Sequence, residues 1–170
     1  SACMVIAWYI AAGMKEGPLS RIIQESFDRI VHEGELSDAA AALDWLQGQN
    51  PTAAHCWIAG FSFGAWIGMQ LLMRRPETDG FISVSPPTNM YDFSFLAPCP
   101  ASGLFLHGTA DTVVPPVEVE RVVNKLRTQK GIIIDYELEE GATHFWQDHI
   151  GAVETRVGAY LDKRLTEKPA

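Results

Sequence analysis

Ser62, Asp111 and His144 are of the types, and fall at the points in the chain, that suit nucleophilic catalysis. Ser62 sits in Gly60-Phe61-Ser62-Phe63-Gly64, between a strand-like run and a helix-like run. A serine forced onto so sharp a turn takes a strained backbone, projects its hydroxyl above the sheet and faces the positive end of the next helix. Serine is a poor nucleophile at its own pKa, so it needs a base, and the base needs a group to orient it. His107-Gly108-Thr109-Ala110-Asp111 follows a later strand-like run and offers a carboxylate; Gly141-Ala142-Thr143-His144-Phe145 follows the last one and offers an imidazole. The chain order Ser, Asp, His is the one a parallel sheet with a strand-turn-helix nucleophile imposes.

Other polar residues fit this chemistry less well. His107 reads as a hydrogen-bonded histidine at a strand end, and His149 as a rim or solvated residue within the last helical pattern. Asp79 and Asp92 read as turn formers, and Glu139 with Glu140 closes a strand rather than forming a glycosidase-like pair. Trp66, Met90, Tyr91, Phe145 and Trp146, with Phe63, Phe93 and Phe95, are candidates for an apolar acyl pocket.

The elements needed to position these residues follow from periodicity. Apolar runs at 56–61, 80–85, 103–107 and 132–138 read as strands. Helical patterns cover 65–75, 116–129 and 148–165, the last with Ile150, Val153, Val157, Tyr160 and Leu161 inward. Ahead of them the pattern predicts two helices, one over 19–31 with Ser20 available as a cap and one over 38–47 capped by Ser37. Strand and helix alternate in the cadence of an α/β fold, a mostly parallel sheet flanked by helices, whose chemistry gathers at the carboxyl ends of the strands. The 170 residues suit a single domain, with residues 1–33 as an atypical N-terminal segment. Residues 2–12 are almost wholly apolar, lack a preceding basic residue and are too short to cross a bilayer, so a buried or partner-packed element is expected there.

A net charge of −8 speaks against nucleic-acid and anionic-membrane surfaces, which want clustered Lys and Arg. Cys3, Cys56 and Cys99 form neither a C-x-x-C pair nor a Cys/His cluster, so no metal is expected, and a reducing, cytoplasmic setting fits. No organic cofactor is required either.

Taken together, Gly-Phe-Ser-Phe-Gly-Ala around Ser62, His-Gly-Thr-Ala-Asp-Thr-Val-Val-Pro around Asp111 and Gly-Ala-Thr-His-Phe around His144 resemble the α/β-hydrolase superfamily. The likeness runs from about residue 34 to 165 and is to the small, lidless bacterial branch near the dienelactone-hydrolase-like esterases. It implies a serine esterase acting on short or accessible acyl esters through an acyl-Ser62 intermediate, with the Phe63 backbone N–H as one oxyanion donor. Thioester or amide cleavage shares that route. A silent interaction scaffold is the alternative. The resemblance also implies no cap domain, since only residues 86–100 are available for a lid. The departure is at the front. Neither the His-Gly or His-Pro loop that supplies a second oxyanion N–H nor the Arg-Gly-x-Gly-x-Ser-like turn occurs in residues 1–33. Lacking one such donor costs about 2.7–4 kcal/mol in the transition state. A sheet cut short on that side exposes an edge and an apolar face, so a homodimer through the N-terminal segment is expected.

Overall fold

The computed structural model describes the backbone of residues 2–7 and 18–166, with side chains from residue 34 onward. Among these residues five strands lie in sequential order: β1 (Ala2–Ala7), β2 (His55–Phe61), β3 (Gly80–Val84), β4 (Ser102–Gly108) and β5 (Ile134–Glu139). Every adjacent pair is parallel. The helices are α1 (Pro18–Gln49), α2 (Phe63–Leu72), α3 (Pro116–Arg127) and α4 (Ile150–Thr166). This is the expected α/β architecture.

Strand periodicity sorts the core into two layers. Cys56, Ile58, Phe81, Phe105 and Ile134 point to one face, where they meet Leu43 of α1, Ile67 and Leu71 of α2, and Val119 and Val123 of α3. Trp57, Ile82, Val84, Leu104 and Leu106 point to the other, under Tyr160 of α4. Covered on both sides, β3 is buried along its whole length, which is why its sequence reads as a continuous apolar run rather than an alternation. Arg156 bridges Glu137 and Glu139, and Lys163 reaches Asp135, so α4 is also tied to β5 by charge.

The N-terminal third differs from expectation. One 32-residue helix replaces the two expected, running straight through Gly34 and Ser37. A glycine without a following proline costs a helix only about 1 kcal/mol, and burial of Ala39 and Leu43 against the sheet outweighs it. Residues 2–7 of the apolar run form β1, which pairs with β2 in the register Ala2↔His55 to Ala7↔Gly60; residues 8–12 of that run lie outside the described residues. Residues 86–100 contain one short 3-10 turn, Ser94–Leu96, and no cap domain. In α4 the expected inward set is only partly realised. Tyr160 is buried and Val153, Val157 and Leu161 are half-buried, whereas Ile150, on the first turn, is 59% exposed.

Candidate functional site

Ser62 joins β2 to α2 in a single residue, with φ 50° and ψ −122°. A non-glycine residue in that region carries about 1–3 kcal/mol of strain, which the surroundings must impose. They do so from both sides: Ser62 N–H donates to the Val84 carbonyl of β3 at 2.8 Å, and the Ala65 N–H closes onto the Ser62 carbonyl at 2.9 Å. Gly60 makes the turn sterically feasible. A Cβ there would stand 2.6 Å from Ala65 Cα and as close to the Gly64 backbone, so only hydrogen lets strand and helix approach. Although Ser62 precedes the helix, its hydroxyl does not cap it. It donates instead to His144 Nε2 at 2.9 Å.

His144 and Asp111 come from the loops after β5 and β4 and are each 4% exposed. His144 Nδ1–H donates to Asp111 Oδ2 at 2.8 Å, which leaves Nε2 as the acceptor facing Ser62. The other carboxylate oxygen, Oδ1, accepts the N–H groups of Val113 at 2.9 Å and Val114 at 2.8 Å. Burial alone would raise the Asp111 pKa. Donation from His144 and the Val114 N–H, with the electrostatic pull of the two imidazoles beside it, outweighs burial and holds the carboxyl below its usual range. Asp111 is thus kept an anion. The structure therefore brings together all three residues singled out in the sequence. The arrangement can remove a proton from Ser62 through a base whose tautomer is fixed.

Phe63 is the first residue of α2, so its N–H belongs to the first turn, where N–H groups have no intrahelical acceptor and the helix dipole is positive. That is where a developing oxyanion beside Ser62 would be received. The expected lack of a second donor loop concerns residues 1–33, most of whose detail lies outside the described residues.

Ser62 and His144 open into a cavity of about 520 Å³ whose other walls are apolar. Of the residues expected to line it, Phe63, Met90, Tyr91, Phe145 and Trp146 do so. Trp66, Phe93 and Phe95 do not: Phe93 packs into the core with Phe95 against it, and the Trp66 ring lies behind, 4.8 Å from that of Tyr91, with Nε1–H donated to the Asp92 carbonyl at 3.0 Å. Phe61, Val84, Pro87, Val113, Ile150 and Val153 complete the wall. Sequence reasoning passed over these as ordinary core and loop residues, although Phe61 adjoins Ser62 and Val113 lies two residues from Asp111. Trp146 is more than a wall. Only 1% exposed and at φ 56°, it donates Nε1–H to Ser85 Oγ at 2.8 Å and thereby pins the His144 loop to the end of β3.

Asp92 forms the expected turn, accepting from the Ser94 N–H and hydroxyl, and Glu139 pairs with Arg156, whereas Asp79, expected in a turn, instead accepts the N–H of Cys56 at the start of β2. Among the described residues no helix is long and apolar enough to cross a membrane.

No family model matches the chain. An uncharacterized protein of Rickettsia prowazekii (strain Madrid E) is 49% identical over 142 residues, which are 81% of this chain and 59% of that protein. Among solved structures, ATU1826 of Agrobacterium tumefaciens, a protein of unknown function grouped with the α/β hydrolases, is 54% identical with a TM-score of 0.76, over 80% of this chain and 64% of that one. XC6422 of Xanthomonas campestris, described as an α/β serine hydrolase without a lid, is 27% identical with a TM-score of 0.70, over 81% of this chain and 60% of that one. The chain thus spans about three fifths of the length of these relatives. The sheet order, the turn at Ser62 and these likenesses agree: the chain has the α/β-hydrolase fold, and the solved structures it resembles include a lidless serine hydrolase.

Proposed function

We propose that this chain carries the catalytic centre of a serine hydrolase acting on uncharged carboxylic esters, with Ser62 as nucleophile, His144 as base and Asp111 as its orienter. The observation that carries the reading is the hydrogen-bonded chain Ser62 Oγ to His144 Nε2 at 2.9 Å and His144 Nδ1 to Asp111 Oδ2 at 2.8 Å. In the first step Ser62 Oγ attacks the ester carbonyl carbon while its proton passes to His144 Nε2. The carbonyl oxygen becomes the oxyanion and receives the Phe63 N–H. As the carbon–oxygen bond to the alcohol breaks, the leaving oxygen takes the proton from His144 Nε2. Water then gives a proton to His144 and its oxygen to the acyl carbon, and Ser62 departs with the proton restored. Asp111 stays ionised throughout and stabilises the transient imidazolium.

Substrate choice follows from the walls. Phe61, Val84, Met90, Tyr91, Trp146 and Val153 offer no charged partner, so a carboxylate or ammonium on the acyl chain would lose its hydration without return. The description of the Xanthomonas relative as a lidless serine hydrolase supports the same reading. The test is turnover of p-nitrophenyl acetate, butyrate and octanoate, with the matching thioester alongside. Wild-type protein should hydrolyse the esters, and Ser62→Ala should fall to the buffer rate. Equal rates for both proteins would refute the assignment.

A further inference from the structure

The Ser62 reading leaves a buried histidine unused. His107, at the end of β4, has a fully buried side chain. Its Nε2 lies 2.9 Å from the Val114 carbonyl oxygen and 3.5 Å from Asp111 Oδ2. A carbonyl can only accept, so Nε2 carries the proton and Nδ1 is left with its lone pair. That lone pair is buried and, among the described residues, has no donor. An unsatisfied buried acceptor is costly, and a leucine of similar bulk would avoid the cost altogether. A histidine here makes sense only if its Nε2–H is needed.

The bonds show where that need lies. Val114 accepts from His107 through its carbonyl and, through its own N–H, donates to Asp111 Oδ1 at 2.8 Å. The same imidazole N–H also faces the oxygen that Asp111 presents to His144. We propose that His107 is a positioning residue for Asp111, its Nε2–H locking Val114 and steadying Oδ2 so that the carboxylate meets His144 Nδ1 squarely. The inference rests on the hydrolase reading above for its kinetic expression, but not for its geometry. His107 touches no substrate, and its effect passes through Asp111.

The test compares His107→Leu with His107→Gln, whose Nε2 stands the same number of bonds from the backbone as the histidine Nε2. On p-nitrophenyl butyrate His107→Leu should lose about tenfold in kcat, the upper worth of one neutral hydrogen bond, with KM held within about twofold. His107→Gln should recover kcat to within about threefold. The downfield proton resonance of His144 Nδ1–H should shift or broaden in the leucine variant and return in the glutamine one. If the leucine variant does not fold, His107→Asn takes its place, since its amide is one bond too short to reach Val114. A folded leucine or asparagine variant with wild-type kcat and an unmoved resonance overturns the proposal. So does a folded glutamine variant as slow as either. If the wild type turns over no ester, the hydrolase reading fails, and the resonance alone then decides the role of His107.

Discussion

Gly108→Ala is the sharpest probe of how the fold places His144. Gly108 ends β4, and a Cβ added there would stand 2.7 Å from the Ala142 carbonyl carbon, 3.0 Å from its Cβ and closer still to its oxygen. Unbonded carbons rest about 3.5–4.0 Å apart, so the shortfall is about 1 Å. The strand cannot yield easily, because Thr109 N–H is tied to the Glu139 carbonyl at 2.9 Å and Ala110 N–H to that of Ala142 at 3.0 Å. The loop carrying Ala142 must move instead, and His144 is two residues further along it. A shift of about 1 Å stretches the 2.9 Å contact between Ser62 and His144 beyond hydrogen-bond range. A misplacement of that size costs about 10²-fold in rate, and the overpacking about 1–3 kcal/mol in stability. The assay is kcat/KM on p-nitrophenyl butyrate beside a urea melt. Gly158→Ala serves as the control, since nothing lies within 4 Å of its Cβ on exposed α4. That control should keep full activity. A folded Gly108→Ala protein within about threefold of wild-type kcat/KM would refute the reasoning.

Other substitutions test neighbouring links. Ser85→Ala strands the buried Trp146 Nε1–H and should cost about 1–3 kcal/mol, whereas Trp146→Phe removes the donor itself, so in urea melts the double variant should lose less than the sum of the two. Gly34→Ala, exposed and without neighbours, should stabilise the chain by about 0.5–1 kcal/mol if α1 is continuous; two helices broken near residue 34 would give no gain or a loss. Burial holds the His107 pKa below its ordinary value, against the Val114 carbonyl and Asp111, so the unfolded chain binds a proton there that the folded chain refuses. That contribution is complete above about pH 6.5 and is lost as pH falls from there through the lower folded value. Wild-type stability should therefore drop more steeply than that of His107→Leu between about pH 6.5 and 5, and parallel curves would contradict it.

Much of the site was legible because its signals are local. Ser62 announced itself through Gly60 and the strand-to-helix change around it, and Asp111 and His144 through their places just past apolar runs. β3 and β4 were legible for the same reason, burial on both faces leaving uninterrupted apolar sequence, and β2 nearly so. β5, by contrast, carries Asp135, Glu137 and Glu139 and was marked only by the apolar residues 132–134 at its start. What stayed hidden depends on contacts distant in sequence. Ser85 and Trp146 adopt φ 47° and 56°, yet neither is glycine, so no local residue preference marks the latch they form. Trp66 and Phe63 lie three apart at the start of α2, but only the packing of residues 86–100 decides which of them faces the cavity. The continuity of α1 was obscured because Gly34 and Ser37 imitate a break, and helical packing against the sheet overrode them.

The central claim is that Ser62 is an activated nucleophile, and covalent capture tests it most directly. The protein would be treated with an alkyl fluorophosphonate and the adduct located by peptide mass spectrometry. The account predicts one equivalent of label on Ser62, lost in Ser62→Ala and slowed by about 10²-fold or more in His144→Ala. Label on another residue, or none on folded protein, would contradict it.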